Sequence, residues 1–414
     1  MIKETFDIVI VGAGPAGLVA TVAAAGKGAK ILLLEKMEKP ARKLRITGKG
    51  RCNITNIKPE EEFLKNIFPD SRFFKPSFKN FSNIDLVKFL NSAGLDTVEE
   101  RGGRVFPASQ KSWDVAGVLV KEAEKKATVI CKAKVLQLFT ENSAITGLCY
   151  EHHGTQVNVS ARAVIVATGG LSYPLTGSTG DGYEFARSTG HNIVPLRPSL
   201  TGLELKDYEA INASLKNVEI MLVVDGGIVQ KEFGEMEFTV YGIDGPIVLK
   251  ISRNAVDAVM DGKKAAVQIN FKPALNRQQL INRIEREISS LPNRYVTDLL
   301  TKLLPASLVA PFAKKIQIPA NRKLADFKSS DMEKIVNGLF AFKYSISGFR
   351  SFDEAIVTAG GISLQEINSK TMCSTLVKNL FFAGEVIDLD ANTGGYNLQI
   401  AFSTGYLAGV MAAK

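Results

Sequence analysis

Glycines and one acidic residue near the start of the chain have the types and spacing that bind a dinucleotide. Gly12 allows the sharp turn that follows a strand, Gly14 leaves room for a pyrophosphate, and Gly17 lets a helix pack closely on the strand. Glu35, 18 residues after Gly17, can accept hydrogen bonds from a ribose diol. The spacing therefore predicts a nucleotide site made of Gly12, Gly14, Pro15, Ala16, Gly17 and Glu35.

A strand–turn–helix–strand unit has to position these residues. Phe6–Val11 is an apolar run long enough for one buried strand of a parallel sheet, and Ile31–Leu34 is a second. Helix-forming residues fill the interval as far as Gly26. In this context the motif favours dinucleotide binding over an α/β core whose tight turn is glycine-rich by chance.

Two later apolar strands also end in glycine turns, and the end of a parallel strand is where backbone can approach a ligand. A closing helix follows a third glycine turn, and its N-terminus should point at an anionic or electron-rich group. We expect the turns after Val11, Val166 and Phe382 to meet at one edge of one sheet. The later segments are Ala163–Gly170, Leu380–Glu385 and Thr393–Gln399.

A polar, glycine-broken segment over residues 36–56 carries several arginines and lysines. Such a loop can offer backbone amides and guanidinium groups to phosphate. A solvated basic loop is the alternative. Because the segment directly follows Glu35, we expect it to contact the ligand.

The composition is that of a globular protein with a large core. The chain has 414 residues, 45% hydrophobic and 22% charged, which suits two or three domains. Its net charge is +9, but the basic residues are mostly scattered, without the aromatic–basic interleaving typical of RNA-binding proteins. We therefore expect a small-molecule substrate and no nucleic-acid partner.

The cysteines and the hydropathy exclude other classes of site. Cys52, Cys131, Cys149 and Cys373 form no C-x-x-C pair, which predicts neither a metal site nor a redox disulfide. No signal peptide precedes the first strand, and no apolar run reaches membrane-spanning length. We expect a cytoplasmic protein with no membrane partner.

Five segments in this order resemble a family of bacterial FAD-dependent oxidoreductases, the aminoacetone-oxidase-like flavoproteins, which includes bile-acid reductases. More distantly they are similar to fumarate-reductase-type flavoproteins. One departure is Cys373, at a position where the family usually has glutamate. The segments are DIVIVGAGPAG, KLRITGKGRCNITN, VIVATGGLSYPLTGSTGDGY, EAIVTAGGI and LFFAGEVIDLDANTGGYNLQIAFSTGYLAG.

The resemblance implies an α/β fold in which a Rossmann-like FAD-binding domain is split by an insertion. The FAD domain is expected over residues 1–193 and 346–414. The insertion is expected to consist of a β-barrel over 194–272 and 317–345, and of a small helical domain over 273–316. Its helices should form a lid over the flavin, unless their apolar residues, such as Leu299, Leu303, Leu304 and Phe312, are only a domain core.

The resemblance also implies which residues contact FAD. Beyond the first motif, the implied FAD contacts include the basic segment, Val135 beside the adenine, the turn after Ala167, and the closing helix beside the flavin. The added contacts are Lys36, Lys43, Thr47, Gly48, Arg51, Cys52, Asn53, Val135, Thr168, Gly169, Gly170, Gly384, Glu385, Asp388, Gly394, Gly395, Tyr396, Asn397 and Leu398.

The function expected from the resemblance is two-electron hydride transfer with a small, apolar substrate of the enone type. Alternatives are a flavin-dependent amine oxidase, a flavin-bound regulatory or RNA-associated protein without turnover, and an NAD-dependent dehydrogenase without flavin. Because only one complete dinucleotide motif is present, NAD(P)H would dock transiently as the electron donor.

Catalytic residues are chosen by type alone. Fumarate-reductase-like chemistry needs a cation and a proton donor near the flavin, and Arg104, Tyr173, His191 and Arg350 are the candidates. A structural or surface role is the alternative for each of the four. Cys52 has no partner at C-x-x-C spacing, so we expect a buried packing thiol.

Overall fold

The computed structural model describes residues 2–291, 293–319 and 321–414. The chain forms two compact units, one of residues up to 197 together with 356–414, and the other of residues 198–355. The strands are β1 (Ile2–Val11), β2 (Ile31–Leu34), β3 (Thr55–Asn56), β4 (Ile67–Phe68), β5 (Thr97–Glu100), β6 (Arg104–Pro107), β7 (Thr128–Ile130), β8 (Ala133–Glu141), β9 (Ala144–His152), β10 (Thr155–Val166), β11 (Ile193–Ser199), β12 (Leu203–Leu205), β13 (Ala213–Val224), β14 (Gly227–Phe238), β15 (Gly242–Asp244), β16 (Ala265–Asn270), β17 (Phe342–Phe349), β18 (Val357–Ile362), β19 (Leu380–Phe382) and β20 (Asp390–Ala391).

The α-helices lie in both units. They are α1 (Pro15–Ala24), α2 (Arg42–Ile46), α3 (Glu60–Leu64), α4 (Ser71–Asn80), α5 (Asn83–Ser92), α6 (Ser112–Glu124), α7 (Asp181–Ser188), α8 (Pro246–Met260), α9 (Arg277–Ser290), α10 (Val296–Thr301), α11 (Ala306–Lys315), α12 (Ser329–Phe340) and α13 (Tyr396–Ala412).

A mixed sheet with the order β7-β2-β1-β10-β9-β8 forms the centre of the first unit, and β19 also pairs with β10. The strands β7, β2, β1, β10 and β19 run parallel, whereas β9 is antiparallel to both β10 and β8. Every residue of β2 is buried, as in a parallel strand covered on both faces. This arrangement confirms the predicted Rossmann-type α/β fold.

The first and last helices of the first unit lie directly against each other. A Cβ added at Gly405 would lie 2.3 Å from the carbonyl oxygen of Ala16, and one at Gly409 would lie 2.3 Å from that of Ala20. Glycine at these two positions lets α13 approach the backbone of α1. The two helices that begin beside the sheet edge are thereby fixed in position.

The second unit contains a closed barrel with the order β12-β15-β14-β13-β16-β17, which confirms the predicted β-barrel. The helices α9 to α12 lie in the same unit and share a hydrophobic core with the barrel. Phe312 of α11, for example, stacks on Phe342 of β17 with ring centroids 5.3 Å apart. Leu299, Leu303, Leu304 and Phe312 are all buried in this core, which supports the core alternative for them.

Candidate cofactor-binding cleft

Four parallel strands end side by side at one edge of the central sheet. Val11 of β1 pairs with both Leu34 of β2 and Val166 of β10, and Val166 pairs with Phe382 of β19. Gly12, Glu35, Thr168 and Gly384 follow these strand ends within two residues. The predicted meeting of the turns after β1, β10 and β19 is confirmed.

The three motif glycines meet different surroundings. A Cβ at Gly12 would lie 2.6 Å from the carbonyl oxygen of Ala167, and one at Gly17 would lie 1.9 Å from that of Gly12. A Cβ at Gly14, by contrast, would meet no protein atom within 4 Å. Gly12 and Gly17 are therefore required by packing, whereas Gly14 leaves space that a ligand can fill.

The N-terminus of α1 faces this space without a capping side chain. Gly14 occupies the N-cap position and Pro15 the first turn, so no side chain accepts a hydrogen bond from the free amides there. Those amides and the helix dipole form a site for an anion. Together with the open space at Gly14, they fit a pyrophosphate.

Glu35 is oriented by two backbone amides. Its Oε2 accepts a hydrogen bond from the amide of Ala13 at 2.9 Å, and its Oε1 accepts one from the amide of Met37 at 2.9 Å. Burial raises the pKa of the Glu35 carboxyl, while the hydrogen bonds from Met37 and Ala13 oppose that change. Each carboxylate oxygen keeps a lone pair for a ribose hydroxyl.

Beside Glu35, an ion pair joins two distant parts of the chain. The Nζ of Lys36 lies 2.8 Å from Oδ2 of Asp181, the first residue of α7, and also contacts the hydroxyl of Thr179.

Thr168 Oγ1 is buried and has no hydrogen-bond partner among the residues that the structure describes. This unsatisfied hydroxyl is a feature that a bound polar ligand would complete.

A second ion pair lies further along the cleft. Lys43 of α2 contacts Glu385, with Nζ 2.8 Å from Oε2 and 3.1 Å from Oε1. Oε1 also accepts a hydrogen bond from the amide of Thr358 at 2.8 Å. Both charged side chains are four-fifths buried. The lysine neutralises the carboxylate while leaving both groups at the cleft surface.

These features line a single cleft in the first unit. We call it the cofactor cleft. The predicted FAD contacts that line it are Gly12, Gly14, Pro15, Ala16, Glu35, Lys36, Lys43, Thr47, Val135, Thr168, Gly169, Gly384, Glu385, Asn397 and Leu398.

Other predicted contacts do not line the cleft. Arg51 binds Glu100 and Gln110 and stacks on Phe106 at 4.3 Å, so its guanidinium is engaged within the protein. Cys52 is fully buried, as expected of a packing thiol, and burial raises its pKa to about 12. The complete set outside the lining is Gly17, Gly48, Arg51, Cys52, Asn53, Gly170, Asp388, Gly394, Gly395 and Tyr396.

Sequence reasoning missed several lining residues. Ser178 and Asp181 were visible only as part of the glycine-rich stretch after Leu171, and nothing local marked them as ligand contacts. Ile356 and Val357 reach the cleft at the point where the chain re-enters the first unit. Only the tertiary fold brings them to the nucleotide motif.

The four catalytic candidates are not gathered at the cofactor cleft. His191 is buried, and its ring nitrogens contact Ser374 Oγ at 2.7 Å and Thr189 Oγ1 at 3.0 Å. Burial lowers the pKa of His191. It is a hydrogen-bonded core histidine, and a catalytic role for it stays a prediction.

The remaining candidates lie in three other places. Arg104 is exposed on β6, and its Nε donates to the carbonyl of Arg101 at 3.1 Å. Tyr173 has a left-handed backbone, with a φ of 55°, before a short helical turn. Arg350 belongs to the second unit, where it pairs with Glu204 at 2.9 Å and stacks on Tyr241. Their catalytic roles also stay predictions.

The described residues also bear on metal binding and on membrane insertion. Over the described ranges, no three His, Cys, Asp or Glu side chains lie together in a way that would hold a metal ion. In those same ranges, no helix has both the length and the apolar character needed to cross a membrane.

Comparison with known proteins gives the family. The model of the HI0933-like protein Rossmann domain matches residues 6–411. This chain belongs to that family. The predicted membership of a bacterial FAD-dependent oxidoreductase family is thereby confirmed.

Full-length relatives of this HI0933-like protein have two different activities in their names. It is 30% identical to a 3-dehydro-bile acid delta(4,6)-reductase of Clostridium scindens, covering 98% of each chain. It is 29% identical to a ribosomal RNA dihydrouridine synthase of Escherichia coli, covering 99% of each chain.

Solved structures share the fold. The chain is similar to a 3-ketosteroid-delta4-(5alpha)-dehydrogenase from Rhodococcus jostii, with a TM-score of 0.56 and 16% identity, over 100% of this chain and 98% of that one. At this identity the similarity shows the fold alone.

Proposed function

We propose that this protein is an FAD-dependent reductase that adds hydrogen across a carbon–carbon double bond conjugated to a carbonyl group. Two groups of full-length relatives support this reaction class. A delta(4,6)-reductase of a 3-dehydro bile acid acts on double bonds conjugated to a 3-keto group. A dihydrouridine synthase reduces the double bond of uracil, which is also conjugated to a carbonyl.

One observation carries the proposal. At one edge of the sheet, where four strands end, the uncapped N-terminus of α1 lies beside the oriented carboxylate of Glu35. In our assignment Glu35 holds a ribose diol, and the amides after Gly14 hold the pyrophosphate. Lys43 and Glu385 would contact the remaining part of FAD, and the ion pair with Lys43 would keep the Glu385 carboxylate from repelling an anionic ligand there. When bound, reduced FAD supplies the hydride.

The substrate has two candidates, and they share the reacting group. One is a small apolar enone, as expected from the sequence. The other is uridine within RNA, favoured by similarity to dihydrouridine synthases along nearly the whole chain and by the net charge of +9. The second candidate revises the expectation of no nucleic-acid partner. NAD(P)H is the proposed electron donor for either substrate.

Anaerobic half-reactions test the proposal. The purified protein should be yellow and lose its flavin absorption band when NADPH or NADH is added. A Δ4-3-ketosteroid or a uridine-containing RNA should then restore the band, whereas a saturated 3-ketosteroid, the matched control, should not. Reduction by a primary amine, followed by reoxidation with oxygen alone, would instead establish the amine-oxidase alternative. A colourless protein that takes up no FAD would contradict both.

A further inference from the structure

An exposed aromatic side chain and several basic side chains lie together on the surface formed by α2, the turn after it and the start of α6. Trp113, the only tryptophan of the chain, is 57% exposed, and Ile46 is 48% exposed. Arg45, Lys49 and Lys111 belong to the same segments. We call these five residues the Trp113 patch.

The patch is held together by direct contacts. The guanidinium of Arg45 lies 4.3 Å from the centroid of the Trp113 ring, a cation–π contact. The hydroxyl of Ser112 donates a hydrogen bond to the carbonyl of Arg45, which ties the start of α6 to α2. Because the indole remains more than half exposed beside Arg45, it can still offer surface to another planar group.

No carboxylate of the described residues neutralises the cations of the patch, and Arg45 also donates a hydrogen bond from Nε to the carbonyl of Pro40 at 3.3 Å. Arg45, Lys49 and Lys111 form no ion pair with a carboxylate in the part of the chain that the structure describes. Two neighbouring arginines, by contrast, do form ion pairs with carboxylates: Arg42 with Glu38, and Arg51 with Glu100.

Carboxylates do lie on one side of the patch. Asp96 and Asp114 line a shallow depression next to Trp113, and their negative charges would repel a phosphate there. A carboxylate is, however, a good acceptor for the N–H groups of a nucleobase. The arrangement therefore favours a base over the depression and phosphates beside the basic side chains of the patch.

The patch shares an element with the cofactor cleft. Lys43 and Leu44 of α2 line the cleft, as does Thr47 immediately after the helix. Arg45 and Ile46, from the same short helix, belong to the patch. A ligand bound on the patch is thus held next to the cleft, within the same compact unit.

We propose that the Trp113 patch binds single-stranded RNA, with a base stacked on Trp113 and phosphates near Arg45, Lys49 and Lys111. Exposed aromatic rings among unpaired cations are how proteins bind single strands with little sequence preference. RNA is chosen over DNA on the basis of the proposed function, in which uridine within RNA is one of the two substrate candidates. The patch would hold nucleotides that flank the reacting base.

The test is fluorescence anisotropy of a labelled, uridine-rich single-stranded RNA with the full-length, FAD-loaded protein. Trp113→Ala should raise the Kd roughly 5- to 150-fold, the range for removing the platform of one stacked base. Trp113→Tyr keeps a stacking ring and should restore most of the affinity. Lys49→Ala with Lys111→Ala should flatten the dependence of log Kd on log salt by about 0.7 for each phosphate that is no longer neutralised.

The matched control is a double variant of the second unit, Phe233→Ala with Lys231→Ala. Phe233 is 60% exposed and Lys231 is exposed on the same strand, so the control also removes one surface ring and one surface cation. It should bind RNA like the unaltered protein. Equal decreases in affinity for the control and for Trp113→Ala, or no RNA affinity at all, would overturn the inference.

Two further measurements compare RNA with DNA, and distinguish a failure of this inference from a failure of the proposed function. A DNA strand of the same sequence, with thymine for uracil, is titrated alongside, and tighter binding of the DNA than of the RNA would overturn the assignment to RNA. FAD content and reduction by NAD(P)H are measured on the same samples. RNA binding through the patch without any reductase activity would overturn the proposed function alone, whereas reduction of enones without RNA affinity would overturn this inference alone.

Discussion

Lys43 Nζ lies 2.8 Å from Oε2 of Glu385, although 342 residues separate the two along the chain. Each side chain is about 20% exposed, so the pair is well shielded from solvent. The contact ties the basic segment after the nucleotide motif to the turn after β19. It places one cation and one anion, mutually neutralised, on the surface of the cofactor cleft.

Replacing Lys43 with methionine should weaken FAD binding. The change removes a cation near an anionic ligand and leaves Glu385 without its partner at the cleft. Removing a hydrogen bond to a charged group costs about 1.5 kcal/mol, roughly a tenfold rise in Kd. Titration of the FAD-free protein with FAD measures this Kd. Lys43→Arg keeps the charge and serves as the control, and an unchanged Kd for Lys43→Met would exclude this role.

Alanine at Gly14 should affect FAD binding, whereas alanine at Gly17 should affect folding. Gly14→Ala meets open space, so the FAD-free protein should unfold at the same urea concentration but bind FAD more weakly. Gly17→Ala would place a Cβ 1.9 Å from the carbonyl oxygen of Gly12 and should reduce the yield of folded protein. Urea unfolding and FAD titration measure the two effects. Normal FAD affinity in Gly14→Ala would show that the space is not part of the binding site.

Much of this site was predictable because the nucleotide motif is local. The strand, the glycine turn, the helix and Glu35 follow one another directly along the chain, and each residue type has a steric or hydrogen-bonding reason. The convergence of later glycine turns followed from the rule that parallel strands present their carboxyl ends together. These parts required no knowledge of distant contacts.

The rest depends on contacts that sequence spacing does not reveal. Lys36 meets Asp181, and Arg45 meets Trp113, only after the chain has folded. The absence of aromatic–basic interleaving in the sequence was therefore a poor guide to the surface, where Arg45 stacks on an exposed ring. His191 was chosen by residue type, whereas its burial and hydrogen bonds make it part of the core.

Cys52 should make the folded protein sensitive to alkaline pH. Burial raises the pKa of the Cys52 thiol to about 12, so the neutral thiol is favoured in the folded state. That contribution is fully present below the pKa of the unfolded thiol, close to 9, and is lost as the pH rises towards 12. At pH 10, above the pKa of the unfolded thiol, the loss is on the order of 1 kcal/mol.

The matching measurement is urea unfolding of the unaltered protein and of Cys52→Ala between pH 8 and pH 10.5. The variant should be less stable at pH 8 because it leaves a small cavity, but its free energy of unfolding should fall less as the pH rises. Parallel curves would contradict the buried, neutral thiol. Alkylation by iodoacetamide at pH 9 should reach Cys52 only after urea is added.

His191 should act on stability and not on electron transfer. Burial lowers the pKa of His191, so the neutral ring is favoured in the folded state, and this stability is lost as the pH falls below about 6.5. His191→Gln should therefore show a smaller decrease in the free energy of unfolding from pH 7 to pH 5. Its rate of flavin reduction by NAD(P)H should equal that of the unaltered protein, and a large decrease would restore the catalytic assignment.

The close packing of α13 on α1 has a consequence for biosynthesis. The cofactor cleft draws on residues before position 197 and after position 356, and the second unit is inserted between them. A ribosome must therefore translate the entire barrel before Glu385 and α13 can join the nucleotide motif. Until then the nascent first unit lacks one wall of its cleft, and the face of α1 that packs against Gly405 and Gly409 is uncovered.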